Sequence, residues 1–307
     1  MTSSPLEPFE LESVIAWLEN QNHKVIRPFI PPLFYNSAPS STPLLKAALL
    51  DVETTGTDFQ KDKIIEIGII IAEYCPQTGQ GYRVLESYDE LEDPGIPIPP
   101  ASTKIHGITD EMVQGRNFNS EKIQELVQDV SLIIAHNATF DRRFMEARFP
   151  FFQEKAWACS FSQIPWREEG FGSAALEHLL YRAGFHFNGH RAVIDCHALL
   201  TVLQLDLPES GIKAFKKLVD AAQTPDLKIW ALNTPFESKD KLKNRQYRWH
   251  AEQRTWYKPI SDADLEQEVS WLRLEVYDHR PFQLKQETID AYNRFSIREG
   301  FCELVRY

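Results

Sequence analysis

The sequence has few cysteines, and none of them is arranged for metal binding. The 307-residue chain contains four, Cys75, Cys159, Cys196 and Cys302, and no two are spaced as CxxC. Four cysteines in a chain of this size predict free thiols in a reducing compartment, because disulfide scaffolds are short and rich in cysteine. The spacing therefore predicts neither a disulfide framework nor a thiolate metal site.

Long apolar runs are also missing. The longest apolar stretches have the length of a strand, which is too short to span a bilayer. The first twenty residues, MTSSPLEPFELESVIAWLEN, are acidic and lack a basic start followed by a continuous apolar core, so they do not resemble a signal peptide. We therefore expect a cytoplasmic protein that does not associate with membranes.

Positively charged residues are outnumbered by negatively charged ones. The chain has 33 lysines and arginines against 44 aspartates and glutamates, which gives a formal net charge of −11. This balance argues against an electropositive surface that wraps nucleic acid. It does not exclude an enzyme that holds one nucleic-acid end through metal ions. The remaining composition, 43% hydrophobic and 25% charged, is typical of a globular protein.

The order of the predicted elements divides the chain into four segments. Residues 1–45 carry a short amphipathic helix and a proline-rich arm. Residues 46–206 begin with strands and then alternate strand and helix, which predicts an α/β fold with a mixed central sheet flanked by helices. Residues 207–235 have a looser pattern and are predicted as a linker. Residues 236–307 are predicted as a small C-terminal α+β module.

Two carboxylates stand two residues apart in an otherwise apolar stretch, ALLDVETTGTD at residues 48–58. In a strand, alternate side chains share a face, so Asp51 and Glu53 are expected to lie side by side. Two like charges at this separation repel each other unless a cation lies between them or water surrounds them. The pair therefore predicts either a solvent-exposed face or a metal site.

Two later segments direct further polar side chains toward the same sheet edge. In AHNATFDRRF, Asp141 lies on a predicted helix that directly follows a strand. In GHRAVIDCHALL, His190 precedes Asp195 by five residues. If the helix begins just after His190, Asp195 projects from its first turns while His190 leans back from the preceding loop. This arrangement suits a base beside a metal ligand.

The motifs DVETTG, HGIT, AHNATFD and HRAVID resemble, in this order, those of the DEDDh 3′–5′ exonucleases. This superfamily includes the epsilon-type proofreading subunits of bacterial DNA polymerase III and the RNase T-type enzymes. The resemblance runs from about residue 46 to residue 206, and all five signature positions are filled. It implies an RNase H-like fold and two divalent metal ions, Mg²⁺ or Mn²⁺. The implied ligands are Asp51, Glu53, Asp141 and Asp195, with His190 as general base.

This implied site agrees with the physics of the residues. Two hard cations need oxygen ligands from several chain segments, and together they contact the attacking and leaving oxygens of a phosphodiester. Four carboxylates carry about as much negative charge as two Mg²⁺ ions carry positive charge, which explains why acids are placed next to each other. An imidazole can take a proton from water near neutral pH.

Five weaker positions match residues that line the terminal nucleotide in the family. Each has a structural alternative, namely a turn threonine, a capping histidine or a core phenylalanine. Glu66 in IIEIG is expected to be a structural partner within the sheet rather than a metal ligand. The substrate-binding candidates are Thr54, Ile105, His106, His136 and Phe140.

The C-terminal module is locally basic. Residues 236–258 contain seven basic residues against three acidic ones, with tyrosines and tryptophans between them. This composition is typical of single-stranded nucleic-acid sites, in which basic groups bind phosphates and flat rings stack on bases. Alternatively, the tryptophans form the core of a small domain and the lysines are its solvated face. The nucleic-acid-binding candidates are Lys243, Arg245, Tyr247, Arg248, Trp249 and Trp256.

Three functions remain open at this point. The first is a metal-dependent 3′–5′ exonuclease that releases nucleoside 5′-monophosphates from single-stranded or frayed DNA ends. The second is an exoribonuclease that trims RNA, because the site alone does not choose the sugar. The third is a non-catalytic nucleic-acid-binding relative, which the complete set of acids disfavours. Oligomeric state stays open.

One short motif is consistent with a protein partner. QLDLP at residues 204–208 partly matches the pentapeptide with which bacterial proteins bind the replication sliding clamp. Pro208 stands where that motif carries a large apolar residue, so a chance match is the favoured interpretation.

Overall fold

The computed structural model of the protein describes residues 8–37 and 43–307. The parts of the predicted N-terminal segment at residues 1–7 and 38–42 lie outside the described residues. The N-terminal segment contributes helix α1 and strand β1, at Pro8–Asn20 and Arg27–Pro28. Strand β1 pairs in parallel with β7 (Phe185–His186).

A five-stranded mixed sheet forms the first half of the molecule. Its strands are β2 (Leu45–Thr54), β3 (Ile64–Tyr74), β4 (Gly81–Leu91), β5 (Leu132–Ala135) and β6 (Trp157–Cys159), in the spatial order β4-β3-β2-β5-β6. Strand β3 is antiparallel to β2 and β4, whereas β5 and β6 continue in the direction of β2. A sheet in which only the second strand runs in the opposite direction has the RNase H-like strand order, so the predicted fold class is confirmed.

Helices cover both faces of this sheet. They are α2 (Pro100–His106), α3 (Asp110–Val113), α4 (Ser120–Gln128), α5 (Ala138–Arg148), α6 (Ser160–Gln163), α7 (Leu176–Arg182), α8 (Ala192–Leu203) and α9 (Ala214–Gln223). Strand β2 is buried on both faces, which explains its unbroken apolar run. Leu49 packs with Leu199 of α8 in one core, whereas Leu50 packs with Phe144 of α5 in the other.

A second five-stranded sheet forms the other half. Its strands are β8 (Asp226–Ala231), β9 (Arg248–His250), β10 (Thr255–Ile260), β11 (Gln283–Ile289) and β12 (Phe301–Arg306), all antiparallel, in the order β12-β11-β8-β10-β9. Helices α10 (Lys239–Asn244) and α11 (Leu265–Glu275) complete this half. Leu242 and Leu272 of these helices pack with Ile229 and Leu284 in its core.

The segment predicted as a linker, residues 207–235, contains a helix and a strand. Helix α9 lies in this segment and buries Phe215 and Leu218 against the first sheet. Strand β8 follows it and is the central strand of the second sheet. The sequence pattern loosens here because α9 alternates these apolar residues with exposed or half-buried lysines, and because the second face of β8 carries Lys228 and Trp230.

No helix within residues 8–37 and 43–307 combines the length and the apolar character that crossing a bilayer requires.

Candidate active site

The C-terminal end of β2 carries two neighbouring carboxylates. Leu49, Asp51 and Glu53 alternate along the strand and share one face, as the sequence predicted. Leu49 is fully buried, whereas Asp51 and Glu53 are only half-buried. This face of the strand therefore changes from apolar core to a partly buried acidic surface within four residues.

Helix α8 brings the next acid to this surface because its first turn packs tightly on β3. A side chain at Gly68 would place Cβ 2.3 Å from the backbone carbon of Ala192, so only glycine allows this approach. Glu66, on the same face of β3, accepts hydrogen bonds from the Ala192 N–H (3.1 Å) and the Arg191 Nε (2.9 Å). Glu66 is thus a structural partner of α8, whereas the sequence predicted a partner within the sheet. Asp195 projects from the first turns of the helix so fixed.

Four carboxylates from three chain segments meet in this place. Oxygens of Asp51, Glu53 and Asp195 all lie within 4.8 Å of one another. Asp141 comes from the first turn of α5 and is buried, and its Oδ1 accepts a hydrogen bond from the Val52 N–H at 3.2 Å. The structure therefore places the four predicted metal ligands in one cluster.

The cluster is electrostatically unfavourable without a cation. Burial, followed by repulsion from Asp141 and Asp195, raises the pKa of Asp51 well above its ordinary value. Burial is also the largest cause that raises the pKa of Glu53 to about 8, of Asp141 to about 7 and of Asp195 to about 6. A set of carboxylate oxygens that resist ionisation together fits a hard divalent cation such as Mg²⁺ or Mn²⁺, whose charge would relieve the repulsion.

His190 lies beside the cluster on the loop before α8. Its backbone has φ of 67°, in the left-handed region that non-glycine residues rarely adopt. Its side chain is 61% exposed, and its Nδ1 lies 3.9 Å from Oε1 of Glu53. Since α8 begins at Ala192, the loop holds His190 over the acids while Asp195 projects from the helix, which is the arrangement the sequence predicted.

Three of the predicted substrate-binding residues, Thr54, Ile105 and His106, differ in exposure. Thr54 is buried, and its Oγ1 donates a hydrogen bond to the carbonyl of Gly56 at 2.6 Å, which gives it a turn-forming role. Ile105 is 59% exposed at the end of α2. His106 is buried, and its Nδ1 accepts a hydrogen bond from the Ile108 N–H at 3.0 Å. Of these three side chains, Ile105 is therefore the most accessible to a ligand.

A cleft of 740 Å³ opens over the four acids and His190. The predicted residues His136 and Phe140 line its wall. His136 Nδ1 lies 2.8 Å from Ser160 Oγ, and burial lowers the pKa of His136 to about 4. Its buried Nε2 has no hydrogen-bond partner among the described residues. His136 is therefore a neutral ring that lines the cleft.

Sequence reasoning missed three large apolar residues of this wall. Phe161 follows β6, Leu176 begins α7, and Phe187 lies on the loop that leads to His190. None of them belongs to a motif with an acid in it. The position of Phe187, three residues before His190, was the only local signal for its place in the cleft.

The basic and aromatic candidates of the C-terminal module separate into two groups. Tyr247 and Trp256, which the sequence predicted as nucleic-acid contacts, are buried in the core of the second sheet. A unit of this size needs large side chains for its core, and these rings supply them. Arg245 lies 3.2 Å from the buried Glu268 and is engaged in that ion pair. The exposed candidates are Lys243, Arg248 and Trp249.

The QLDLP segment is engaged within the fold. Leu207 is buried in the first core, and Gln204 Oε1 accepts a hydrogen bond from the Gly81 N–H at 2.7 Å. Leu207 is therefore absent from the surface, and the Oε1 of the partly exposed Gln204 is already engaged.

Comparison with known proteins gives three findings. A family model described as "Exonuclease" matches residues 49–203. The DNA polymerase III PolC-type of Thermotoga maritima is 27% identical over 217 residues, which cover 64% of this chain and 15% of the polymerase. The corresponding polymerase of Pediococcus pentosaceus is 34% identical over 121 residues, which cover 38% of this chain and 8% of the polymerase. The chain thus spans only a small part of the length of these curated relatives.

Among solved structures, exonuclease X in complex with 5′ overhanging duplex DNA matches with a TM-score of 0.42 and 23% identity. The match covers 57% of this chain and 98% of that chain.

Proposed function

This chain belongs to the exonuclease family of the DEDDh superfamily, and from this premise we propose that it is a divalent-metal-dependent 3′–5′ exonuclease. It hydrolyses the terminal phosphodiester of single-stranded or frayed DNA and releases nucleoside 5′-monophosphates, in repair or proofreading-like processing. The single observation that carries the proposal is the convergence of four carboxylates and His190 at one cleft. The names of the PolC-type relatives, which are DNA polymerases, favour DNA over RNA.

The four carboxylates would hold two divalent metal ions, Mg²⁺ or Mn²⁺. When bound, such ions supply positive charge to the attacking and leaving oxygens of the scissile phosphate. The chain contributes the geometry, because Asp51 and Glu53 are fixed on β2, Asp195 on α8 and Asp141 on α5. Their raised pKa values mark the electrostatic cost that the ions remove.

His190 is the proton acceptor for the attacking water. Its exposed imidazole lines the cleft beside Glu53, so it can reach a water molecule above the acids. The strained backbone at His190 is a further sign of a positioned functional group, because such strain persists only where surrounding structure imposes it.

The apolar wall of the cleft receives the terminal nucleotide. Phe140 and His136 offer flat rings beside the carboxylates. Thr54, Ile105 and His106, which do not line this cleft, are the remaining predicted contacts. On the second sheet, the exposed Lys243, Arg248 and Trp249 are the remaining candidates for contact with a longer single strand.

The test uses 5′-labelled DNA and RNA oligonucleotides, single-stranded and duplex, with Mg²⁺, Mn²⁺ or EDTA. We expect DNA to shorten from its 3′ end in steps of one nucleotide with Mg²⁺ or Mn²⁺, and to stay intact with EDTA. Asp51→Asn and His190→Asn are the inactive variants, and Asp58→Asn, at an exposed ion pair with Lys61, is the matched control.

Other outcomes of this test would contradict the proposal in different ways. Faster shortening of RNA than of DNA would identify an exoribonuclease. Binding of oligonucleotides without cleavage would identify a non-catalytic binder. Equal activity with EDTA would refute the metal-dependent mechanism.

A further inference from the structure

One connecting segment of the C-terminal half packs against the first sheet. Residues Asp290–Arg298, which we call the strap, connect β11 to β12 and lie against β6 and α5. The carbonyl of Ala291 accepts a hydrogen bond from the Trp157 N–H at 2.8 Å, so the strap covers the edge of β6. Phe295 packs on the core between the first sheet and α5. The strap therefore joins the two halves through both backbone and core contacts.

A buried arginine of α5 holds the strap. The side chain of Arg142 has no exposed surface. Its guanidinium donates hydrogen bonds to the carbonyls of Arg294 (2.8 Å), Ala291 (3.1 Å) and Tyr292. Its Nε donates to Oε1 of Glu146 at 2.7 Å. Since a buried guanidinium needs partners for its donors, the strap carbonyls are what allow Arg142 to be inside the protein.

The strap also holds α5 one turn further along. Ser296 Oγ donates a hydrogen bond to Oε2 of Glu146 at 2.6 Å, and Arg298 Nη2 lies 3.2 Å from Oε1 of the same carboxylate. Arg298 Nη2 also donates to the carbonyl of Gln153 at 2.8 Å, beyond the end of α5. Two successive turns of α5, at Arg142 and Glu146, are thus attached to the strap.

Asp141 directly precedes Arg142, and its carboxylate points to the other side, where it accepts the Val52 N–H. Helix α5 is therefore attached to β2 through Asp141 and to the strap through Arg142. We propose that Arg142 is a positioning residue, which uses the strap to fix the Asp141 carboxylate relative to Asp51 and Asp195. The inference rests on the proposed function of Asp141 as a metal ligand. It makes the strap, which belongs to the C-terminal half, a part of the metal-binding machinery.

The test compares three variants of the full chain by titration with Mn²⁺ in the absence of nucleic acid. Arg142→Lys keeps the charge but loses the planar fork that reaches several carbonyls. Ser296→Ala is the milder variant, because it removes one hydrogen bond from the strap to Glu146. Arg148→Gln is the control on the same helix, since it removes an ion pair with Glu92 and a cation–π contact with Phe149 but no contact with the strap.

We expect Arg142→Lys to weaken Mn²⁺ binding about tenfold, in the range typical for residues that orient metal ligands. Ser296→Ala should shift the affinity in the same direction by less, and Arg148→Gln should leave it unchanged. Circular dichroism and the melting temperature establish in parallel that each variant is folded during the titration. The Mg²⁺ concentration for half-maximal nuclease activity should rise with the Mn²⁺ dissociation constant.

Folded variants of Arg142 and Ser296 with unchanged Mn²⁺ affinity would overturn the inference and leave Arg142 a structural residue only. If Arg142→Lys does not fold, Ser296→Ala decides in the same way. The two proposals fail separately, because a chain that binds Mn²⁺ but releases no nucleotide contradicts the exonuclease function alone. An unmodified chain that binds no Mn²⁺ would overturn both.

Discussion

Asp51 is the residue at which the proposed function and stability conflict most directly. Its side chain lies among three other carboxylates, and burial together with their repulsion raises its pKa well above the ordinary value. Neutral Asn has nearly the same shape and removes one charge from this cluster. Residues placed for catalysis often reduce stability in this way.

We expect Asp51→Asn to abolish nucleotide release and, in EDTA at pH 8, to raise the free energy of unfolding by about 1 kcal/mol or more. Urea titration followed by circular dichroism measures the change. Asp58→Asn, at the exposed pair with Lys61, should alter stability little. A destabilised Asp51→Asn protein would contradict the assignment of Asp51 to a repulsive cluster.

The same cluster predicts a pH dependence for the metal-free chain. The folded-state pKa is raised to about 6 for Asp195, about 7 for Asp141 and about 8 for Glu53. A carboxylate whose pKa is raised in the folded state stabilises the fold most below its unfolded pKa, which is about 4. This contribution is lost as the pH rises through the folded-state values.

In EDTA, the contribution of these three groups should therefore lower the melting temperature as the pH increases from 4 to 8. Saturating Mg²⁺ should reduce the fall, because the ions balance the carboxylate charges. Differential scanning calorimetry at fixed ionic strength measures both curves. Parallel curves with and without Mg²⁺ would argue against ion binding at this cluster.

At the scale of elements, the strands and helices that build the site follow from local patterns. The stretch with Asp51 and Glu53 forms strand β2 as expected, and the expected helix start after His190 coincides with α8. The sequence could not show how α8 is attached to the sheet. That attachment depends on Gly68 and Glu66 meeting Arg191, more than 120 residues later in the chain.

Replacement of Gly68 by alanine tests this attachment. The new Cβ would lie 2.3 Å from the Ala192 backbone, so α8 must shift, and we expect a loss of about 1–3 kcal/mol in stability. Because Asp195 lies on the first turns of α8, Mn²⁺ affinity should fall as well. Ile70→Val on the same strand is the control, since it should reduce stability without moving α8. Equal Mn²⁺ affinity in both folded variants would contradict this coupling.

At the scale of the whole molecule, we propose that the boundary between the two halves lies between α9 and β8. Sequence patterns did not reveal this boundary, because β8 begins only three residues after α9 ends. Helix α9 buries Phe215 in the first core, and β8 buries Ile229 in the second. The role of the basic and aromatic stretch at residues 236–258 was also ambiguous from sequence. Composition alone does not distinguish the core residue Trp256 from the exposed Trp249.

Removal of the residues after 225 should destabilise the remaining half. Arg142 and Glu146 would lose their strap partners, and the core around Phe295 would be uncovered, so we expect the melting temperature to fall. Thermal unfolding of the truncated chain measures the loss. An unchanged melting temperature would show that the first half is independent of the strap.

The double variant Lys243→Glu, Trp249→Ala keeps the strap and therefore tests nucleic-acid binding without the loss of stability expected from the truncation.

The hydrogen bond from Trp157 to Ala291 has a consequence for biosynthesis. An uncovered β6 would present unpaired backbone groups to which a strand of another molecule could add. The protecting residues are translated more than 130 positions after β6, so a nascent chain lacks them while its first sheet is already complete. Maturation of the nuclease centre should thus occur late in synthesis, and ribosome-bound intermediates should be the species most prone to aggregate.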